Sequence, residues 1–556
     1  MTSTIDRRRT RSRTRYRALA GSLLAPALLL AACSSSGDTS TGPATSAAAT
    51  QDEAAASPGG TLRFALGASP SGVDPQQVGS NVSIYIARQL ADSLTDQDPT
   101  TGEIVPWLAQ SWDVSDDLTT FTFHLRDDVT FSDGTALTAT TVKANLDALA
   151  GPLGASAPLA ASYLEGYTET RVDDEHTVTV VFGAPNAQFL QATSTVSLAI
   201  LSDATATADP AARLQGEVVG SGPFVLESYT QDQGAVITRR DGYAWASQVS
   251  QNQGEAYLDQ IDFTVVPESG VRAGGLASDQ FDAVGDVLPQ DVAQVEGAGG
   301  SVLTRTNPGV TFVLQPNVTV APLDDPAVRR ALNLAIDRGQ LVDTVLSEAF
   351  KPATSVLAST TPGYADLSDD LTFDAAKAEQ LLDGAGWATG ADGIREKDGT
   401  KLSVDVVYAP LFTGSQAVLE LTQQQLRAVG VDLVLRQVTP ADQQAVLTSG
   451  DYDTYYYNVT RADADILRTQ FSSTGRNVNK RAADDVLDPL LEKQLATADP
   501  QARADLVAQA QQEIVDEALA IPLFELAQSI GVAGDVHGVA FDASSRLLFH
   551  DAWIER

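Results

Sequence analysis

Leu402-Ser-Val-Asp-Val-Val-Tyr408 reads as a short strand rich in β-branched residues. The segments after it decide the architecture. A helix pattern runs over Ser415–Val429 with Gly430 behind it. Then come a strand over Val431–Val438, a helix over Ala441–Thr448 and a strand over Tyr452–Val459. Strands that alternate with helices at this spacing need crossover connections, so the pattern predicts a β-α-β-α-β layer with parallel strands. Upstream, a strand over Thr311–Leu314 precedes Asp325-Pro326, an N-cap with proline in the first turn, and a helix over Ala327–Ile336. Asp374 caps a further helix, Ala375–Leu382, with Gly384 as its expected stop. Downstream, Glu513–Ala518 is followed by Ile521-Pro-Leu-Phe-Glu525 and a strand over Ser529–Ala533.

The first half is mixed. Strand-like runs at Thr61–Leu66, Phe121–Leu125, Thr177–Phe182, Phe224–Tyr229 and Ile261–Val266 are bounded by Gly, Pro or Asp. The tail returning to this half makes an α/β protein of two lobes, joined by crossing strands near Val310–Gln315 and Ile521–Phe524. The expected partition is 59–310 plus 525–556 for lobe I and 311–524 for lobe II. Ligands of such folds bind in the cleft beyond the carboxyl ends of the strands.

Charge narrows the partners. The seven arginines and one aspartate of the first 32 residues supply +6 of a formal net charge of −36, so the rest carries −42. Such a body repels phosphate backbones and anionic lipid, which excludes nucleic acid and makes membrane attachment depend on another cause. The four histidines, His124, His176, His537 and His550, lack ligand spacing, so no metal and no cofactor is expected. Cys33 is the single cysteine, so no disulfide forms within the chain.

The start supplies that other cause. A basic segment to Arg17 precedes an apolar run over 18–32, too short for a membrane span of about 20 residues. Leu30-Ala-Ala-Cys33 resembles the bacterial lipobox, with Cys33 as the acylated residue. Residues 1–32 are therefore read as a lipoprotein signal, and 33–58, rich in Ser, Thr, Ala and Gly, as a tether. This places the protein on the extracytoplasmic face of a bacterial cell membrane.

Several blocks carry a family likeness. They include Gly59-Gly-Thr-Leu-Arg-Phe-Ala-Leu66 with Val73-Asp-Pro75, Pro106-Trp-Leu-Ala-Gln-Ser-Trp112, Phe123-His-Leu-Arg-Asp-Asp-Val-Thr-Phe-Ser-Asp-Gly-Thr135 and Gly220-Ser-Gly-Pro-Phe224. Further along come Asp325-Pro-Ala-Val-Arg-Arg-Ala-Leu-Asn-Leu-Ala-Ile-Asp337, Leu381-Leu-Asp-Gly-Ala-Gly-Trp387 and Ile521-Pro-Leu523. In this order they resemble the family 5 extracellular solute-binding proteins, the peptide- and nickel-binding class. The resemblance implies the large periplasmic-binding-protein fold with an extra subdomain of lobe I over about 96–215, a ligand buried between lobes, and delivery to the permease subunits of an ATP-driven importer by a monomeric receptor.

The resemblance also selects a site. In the family, the strand end matching Thr454-Tyr-Tyr-Tyr-Asn-Val-Thr-Arg461-Ala-Asp463-Ala-Asp465 carries an aromatic residue and an Asp-Pro pair, with carboxylates that bind a ligand's amino terminus. Here Asp463 takes the Asp position, Ala464 replaces the proline, and Thr460 stands where some relatives hold the amine-binding acid. Asp463, Asp465, Arg461, Tyr457, Tyr408 and Trp245 are the candidate ligand contacts, with a cationic ligand end expected at 460–465. A peptide is the expected ligand; an oligosaccharide, a metal chelate or a sensory role on the same fold are the alternatives. A lipid-anchored hydrolase is disfavoured, because the sequence has no Gly-x-Ser-x-Gly elbow and no His-Glu-x-x-His.

Overall fold

The computed structural model describes residues 56–555 except 411, 413, 440 and 441. The signal segment, Cys33 and nearly all of the tether lie outside the described residues.

The stretch that decides the architecture folds as read. Strand Ser403–Tyr408 pairs in parallel with Asp432–Gln437 on one side and with Thr454–Thr460 on the other. Helix Ser415–Ala428 connects the first pair. The strand's pleat separates two cores. Val404, Val406 and Tyr408 pack with Val418, Leu419 and Leu426 of that helix and with Val328, Leu332, Ala378 and Leu382. Val407 points the other way, to Tyr455, Tyr457, Leu491, Val507 and Ile514. Apolar residues on both faces mark a sheet covered by helices on both sides. Strands Gly309–Pro316, Ile521–Glu525 and Lys351–Pro352 extend the sheet to six, joining antiparallel.

A seven-stranded sheet organises the other lobe. Its order is Ser301–Thr306, Ala527–Val532, Ala283–Val284, Thr61–Leu66, Gln260–Val265, Gly234–Arg239 and Phe224–Thr230. The C-terminal segment packs on it, with the Phe549 ring 5.8 Å from Phe64 and 6.0 Å from Phe263. A separate four-stranded antiparallel sheet, Ala109–Val114, Thr120–Leu125, Thr177–Phe182 and Tyr167–Val172, has its own core around Phe121, Phe123, Phe182 and Phe189. The chain passes between the two large sheets twice. One passage is Asn307-Pro308, the other Leu526, and the Asn307 N–H donates to the Leu526 carbonyl at 2.8 Å.

One helix escapes the sequence reading, and one local reading changes. The helix that escapes spans Pro500–Asp516. Asp499 caps it and Pro500 opens it, the same Asp-Pro device as at 325–326. The helix after Asp374 continues through Gly384, and the left-handed turn that ends it falls at Gly386, φ +87°.

Candidate functional site

Strand Thr454–Thr460 ends at the passage between the lobes, and its last residue is tied into it. The Asn307 side-chain amide donates to the Thr460 hydroxyl at 2.9 Å. Gln528 donates to the Asn307 side-chain oxygen at 2.8 Å, and the Tyr85 hydroxyl donates to Gln528. A hydrogen-bonded row thus runs from helix Asn81–Leu90 of the first lobe, through Gln528 and the Asn307 passage, to the strand end that opens the second lobe's loop.

That loop is dense in charge. Asp463 is buried and accepts two bonds from Arg503, Nη2 to Oδ1 at 2.6 Å and Nη1 to Oδ2 at 2.9 Å. Burial alone would raise its pKa, but the Arg503 guanidinium and the Asp465 backbone N–H hold it below the usual carboxylate value. Asp465 accepts from Arg468 at 2.9 and 3.0 Å and from Gln494 at 2.6 Å. The free carboxylates expected for a cationic ligand end are therefore not present in this arrangement: both acids already hold an arginine. Arg461 differs. Its guanidinium carbon lies 4.1 Å from the centre of the Tyr163 ring, it donates to the Gln188 side-chain oxygen, and its Nη1 reaches the Thr469 hydroxyl at 3.2 Å. Its Nε is buried with no partner among the described residues.

Tyr163 and Gln188 belong to the region of the four-stranded sheet, so Arg461 bridges the lobes. Two more contacts do the same: Arg468 Nη1 to Glu165 Oε2 at 3.0 Å, and Ala187 N–H to the Leu495 carbonyl at 2.9 Å.

The aromatic candidates sit further back. Tyr408 is 4 % exposed in the second-lobe core and reaches Gln437 at 3.3 Å. Tyr457 donates to Gln315 and packs 5.2 Å from Tyr455. Trp245 is a first-lobe core residue whose Nε1 donates to Asp92 at 3.0 Å and to the Ser221 carbonyl at 3.1 Å. Its neighbour Tyr243 lines a first-lobe cavity of about 480 Å³ with Arg88, Asp92, Asp96, Trp107 and His550. The structure thus gathers Arg461, Asp463 and Asp465 at the lobe junction and leaves Tyr408, Tyr457 and Trp245 packed in cores.

The partners of this site escape a sequence reading. Arg503 lies 40 residues from Asp463 and Gln188 lies 273 from Arg461. Asp499-Pro500 is the one usable signal, since it starts the helix that carries Arg503.

Comparison with known proteins agrees with the fold. The chain is 27 % identical over 539 residues to the dipeptide-binding protein of Escherichia coli (strain K12), covering 89 % of this chain and 95 % of that protein. It is 28 % identical over 384 residues to the glutathione-binding protein GsiB of Escherichia coli O1:K1 / APEC, covering 68 % and 69 %. The structure of NikA from Brucella suis in complex with Fe(III)-EDTA superposes with a TM-score of 0.76 at 23 % identity, covering 89 % of this chain and all of that one. Helicobacter pylori DppA in complex with peptide STSA gives 0.73 at 22 %, covering 90 % and 99 %. The profile of the bacterial extracellular solute-binding proteins, family 5 middle region, matches residues 103–477, two thirds of the chain, and the chain belongs to that family.

Proposed function

We propose that this chain is the lipid-anchored receptor of an ATP-driven importer, which closes two lobes on a peptide and presents it to the permease, without catalysis. Lobe I comprises 59–306 plus 527–556, with the subdomain over about 96–215, and lobe II comprises 309–525, within a few residues of the expected partition. Asn307-Pro308 and Leu526 form the hinge, the protein works as a monomer, and Cys33 carries the lipid. The observation that carries the reading is the meeting of both lobes on one loop. Residues 460–468 touch Asn307 of the hinge and Tyr163, Glu165 and Gln188 of the opposite lobe. A solute held there is enclosed by closure, and closure is what a permease can sense. A peptide is supported by the dipeptide-binding relative, which aligns over 89 % of this chain.

The experiment is mass spectrometry of what co-purifies with the protein, joined to small-angle scattering before and after the ligand is stripped. A bound peptide and a larger radius of gyration after stripping are expected. Recovery of an oligosaccharide or a metal chelate overturns the peptide, and an unchanged radius overturns closure.

A further inference from the structure

Nine carboxylates are buried among the described residues, and four of them, Asp74, Asp282, Asp463 and Asp465, hold an arginine within 4 Å. Among the described residues the other five, Asp92, Asp96, Asp291, Glu525 and Asp542, have no cation that close. Glu525 is satisfied by the Ser359 N–H and hydroxyl, both at 2.8 Å, and Asp291 lies in the first turn of helix Pro289–Gly297. The remaining three line one space, the first-lobe cavity of about 480 Å³.

The lining is lopsided in charge. Asp92, Asp96, Asp98, Asp542 and Asp551 share it with a single arginine, Arg88. That arginine is already engaged: its Nη1 donates to the Ser93 hydroxyl at 2.8 Å, and its guanidinium carbon lies 4.5 Å from the centre of the Trp107 ring. Burial pushes His550 down, so it adds no positive charge at pH 7. Burial pushes Asp92 and Asp96 up, as it does for carboxylates short of a counter-charge. The space is also short of an acceptor. Trp107 is 8 % exposed, and its Nε1 is buried without a hydrogen-bond partner, the Tyr243 hydroxyl lying near it outside bonding geometry. Arg88 Nε is buried and unpartnered too. Trp107, Tyr243, Phe541 and Leu548 give the space apolar walls, and its volume falls in the range of small-molecule sites, about 300–1,000 Å³. Among the described residues, no three acids converge as ligands for a metal ion.

We infer that this cavity is a second binding site, which takes a small organic ammonium that also carries a hydrogen-bond acceptor. The ammonium answers Asp92 and Asp96 with charge-assisted bonds, and the acceptor takes the Trp107 N–H. A buried charge without a partner is unfavourable, and a bound cation relieves it. One wall is the hairpin of Ala540–Phe541 and Leu547–Leu548, so occupancy ties the C-terminal tail to helix Asn81–Leu90, which contributes Arg88. The site stands apart from the peptide reading, because no second-lobe residue lines the cavity.

The test is calorimetry on the full chain at pH 7 with four matched probes: 4-aminobutanamide, n-butylamine, butanamide and butyrate. They carry an ammonium with an acceptor, an ammonium alone, an acceptor alone and an anion. One 4-aminobutanamide should bind per chain, n-butylamine should bind several-fold more weakly, and the other two should not bind. Asp96→Asn should weaken 4-aminobutanamide at least about ten-fold. Trp107→Phe keeps the ring under Arg88 and should bring 4-aminobutanamide down to the level of n-butylamine. Asp291→Asn, at a buried acid outside the cavity, should change neither. The bound probe should raise the melting temperature and leave the radius of gyration unchanged, since the cavity belongs to one lobe. No heat from either amine, or butanamide bound as tightly as 4-aminobutanamide, overturns the inference, as does equal affinity for the two amines in the parent. Binding that survives Asp96→Asn and Trp107→Phe, or that contracts the radius of gyration, puts the probe in the cleft between the lobes and overturns it as well. Should Asp96→Asn fail to fold, Trp107→Phe decides: an unchanged ratio of the two amines overturns the site.

Discussion

The Asp463 carboxylate lies 2.6 Å from the Arg503 guanidinium, and both groups are withdrawn from solvent. Removing one partner of such a pair leaves the other charge buried and uncompensated, which costs about 3–5 kcal/mol. Asp463→Asn should therefore destabilise the fold by about 3 kcal/mol in urea unfolding at pH 7. The sign with pH is set by the depressed pKa. Its contribution is present above the ordinary carboxylate value near 4 and is lost as pH falls through the lower folded value. The gap between parent and variant should shrink at pH 3. A double change, Asp463→Leu with Arg503→Met, should recover most of the loss, since an apolar pair of similar volume replaces an ion pair at little expense. A gap that persists undiminished in acid would mean that the carboxylate's charge is not what stabilises.

Asp92 gives the opposite sign. It is fully buried in the first lobe, and burial, partly offset by Arg88 and by the Trp245 and Ser221 hydrogen bonds, pushes its pKa up to about 6. An acid whose folded pKa is raised disfavours the folded state as pH climbs from the unfolded value near 4 to the folded one. The lost stability is about 3 kcal/mol and is complete by pH 7. Asp92→Asn keeps an acceptor for Trp245 and removes the titration. Its melting temperature should exceed the parent's at pH 7 and match it at pH 4. Parallel pH profiles for the two proteins would refute this.

Why the fold is legible in the sequence and the site is not can be traced to range. Val404, Val406 and Tyr408 alternate with Val407, and Asp325, Asp374 and Gly430 mark element ends, all within a few residues of what they control. Asp499-Pro500 is readable by the same rule, yet helix Pro500–Asp516 escapes the apolar pattern, because its alanine- and glutamine-rich middle has a weak apolar stripe. The site depends on pairings that only the folded chain creates: Asp463 with Arg503, Arg461 with Gln188, Asn307 with Thr460. A carboxylate in a sequence shows a charge but not whether an arginine has already claimed it.

Gly309 leaves the hinge and enters the central strand at φ +109°. A methyl group there would collide with the Val459 carbonyl oxygen and come within 2.6 Å of the Arg461 backbone nitrogen. Both neighbours are backbone and cannot swing away. Gly309→Ala should lower stability by about 2–4 kcal/mol through strain and overlap. It should also displace Arg461 from Tyr163, so solute affinity should fall even in the fraction that stays folded. Full affinity in a destabilised variant would separate Gly309 from the site.

Cys33 is tested by its chemistry alone. The intact protein should partition into the detergent phase after Triton X-114 separation, because several acyl chains hold a body that anionic lipid repels. Cys33→Ala should move to the aqueous phase with unchanged solute affinity. A variant that stays in the detergent phase sinks the lipid anchor.

Glu165 is the exposed half of a contact that spans the lobes, its side chain 67 % exposed and 3.0 Å from Arg468. Arg468 is fixed from behind by Asp465 at 2.9 Å, so it is presented to Glu165 in a set orientation. An ion pair so open to water is worth little for folding, about 0.2–1 kcal/mol. If the lobes close as proposed, its leverage lies in their relative position, because the pair joins a residue of each. Glu165→Gln should leave the melting temperature unchanged and weaken solute binding no more than about five-fold. Glu165→Lys places a cation opposite Arg468, so the open form should gain, and affinity should fall in proportion to the closed population that is lost. The ligand-free radius of gyration should rise, and both effects should shrink at about 1 M salt, where the Debye length is about 3 Å. Should Glu165→Lys lower the melting temperature as much as the affinity, the contact belongs to folding. Should it change neither, the lobes close without it.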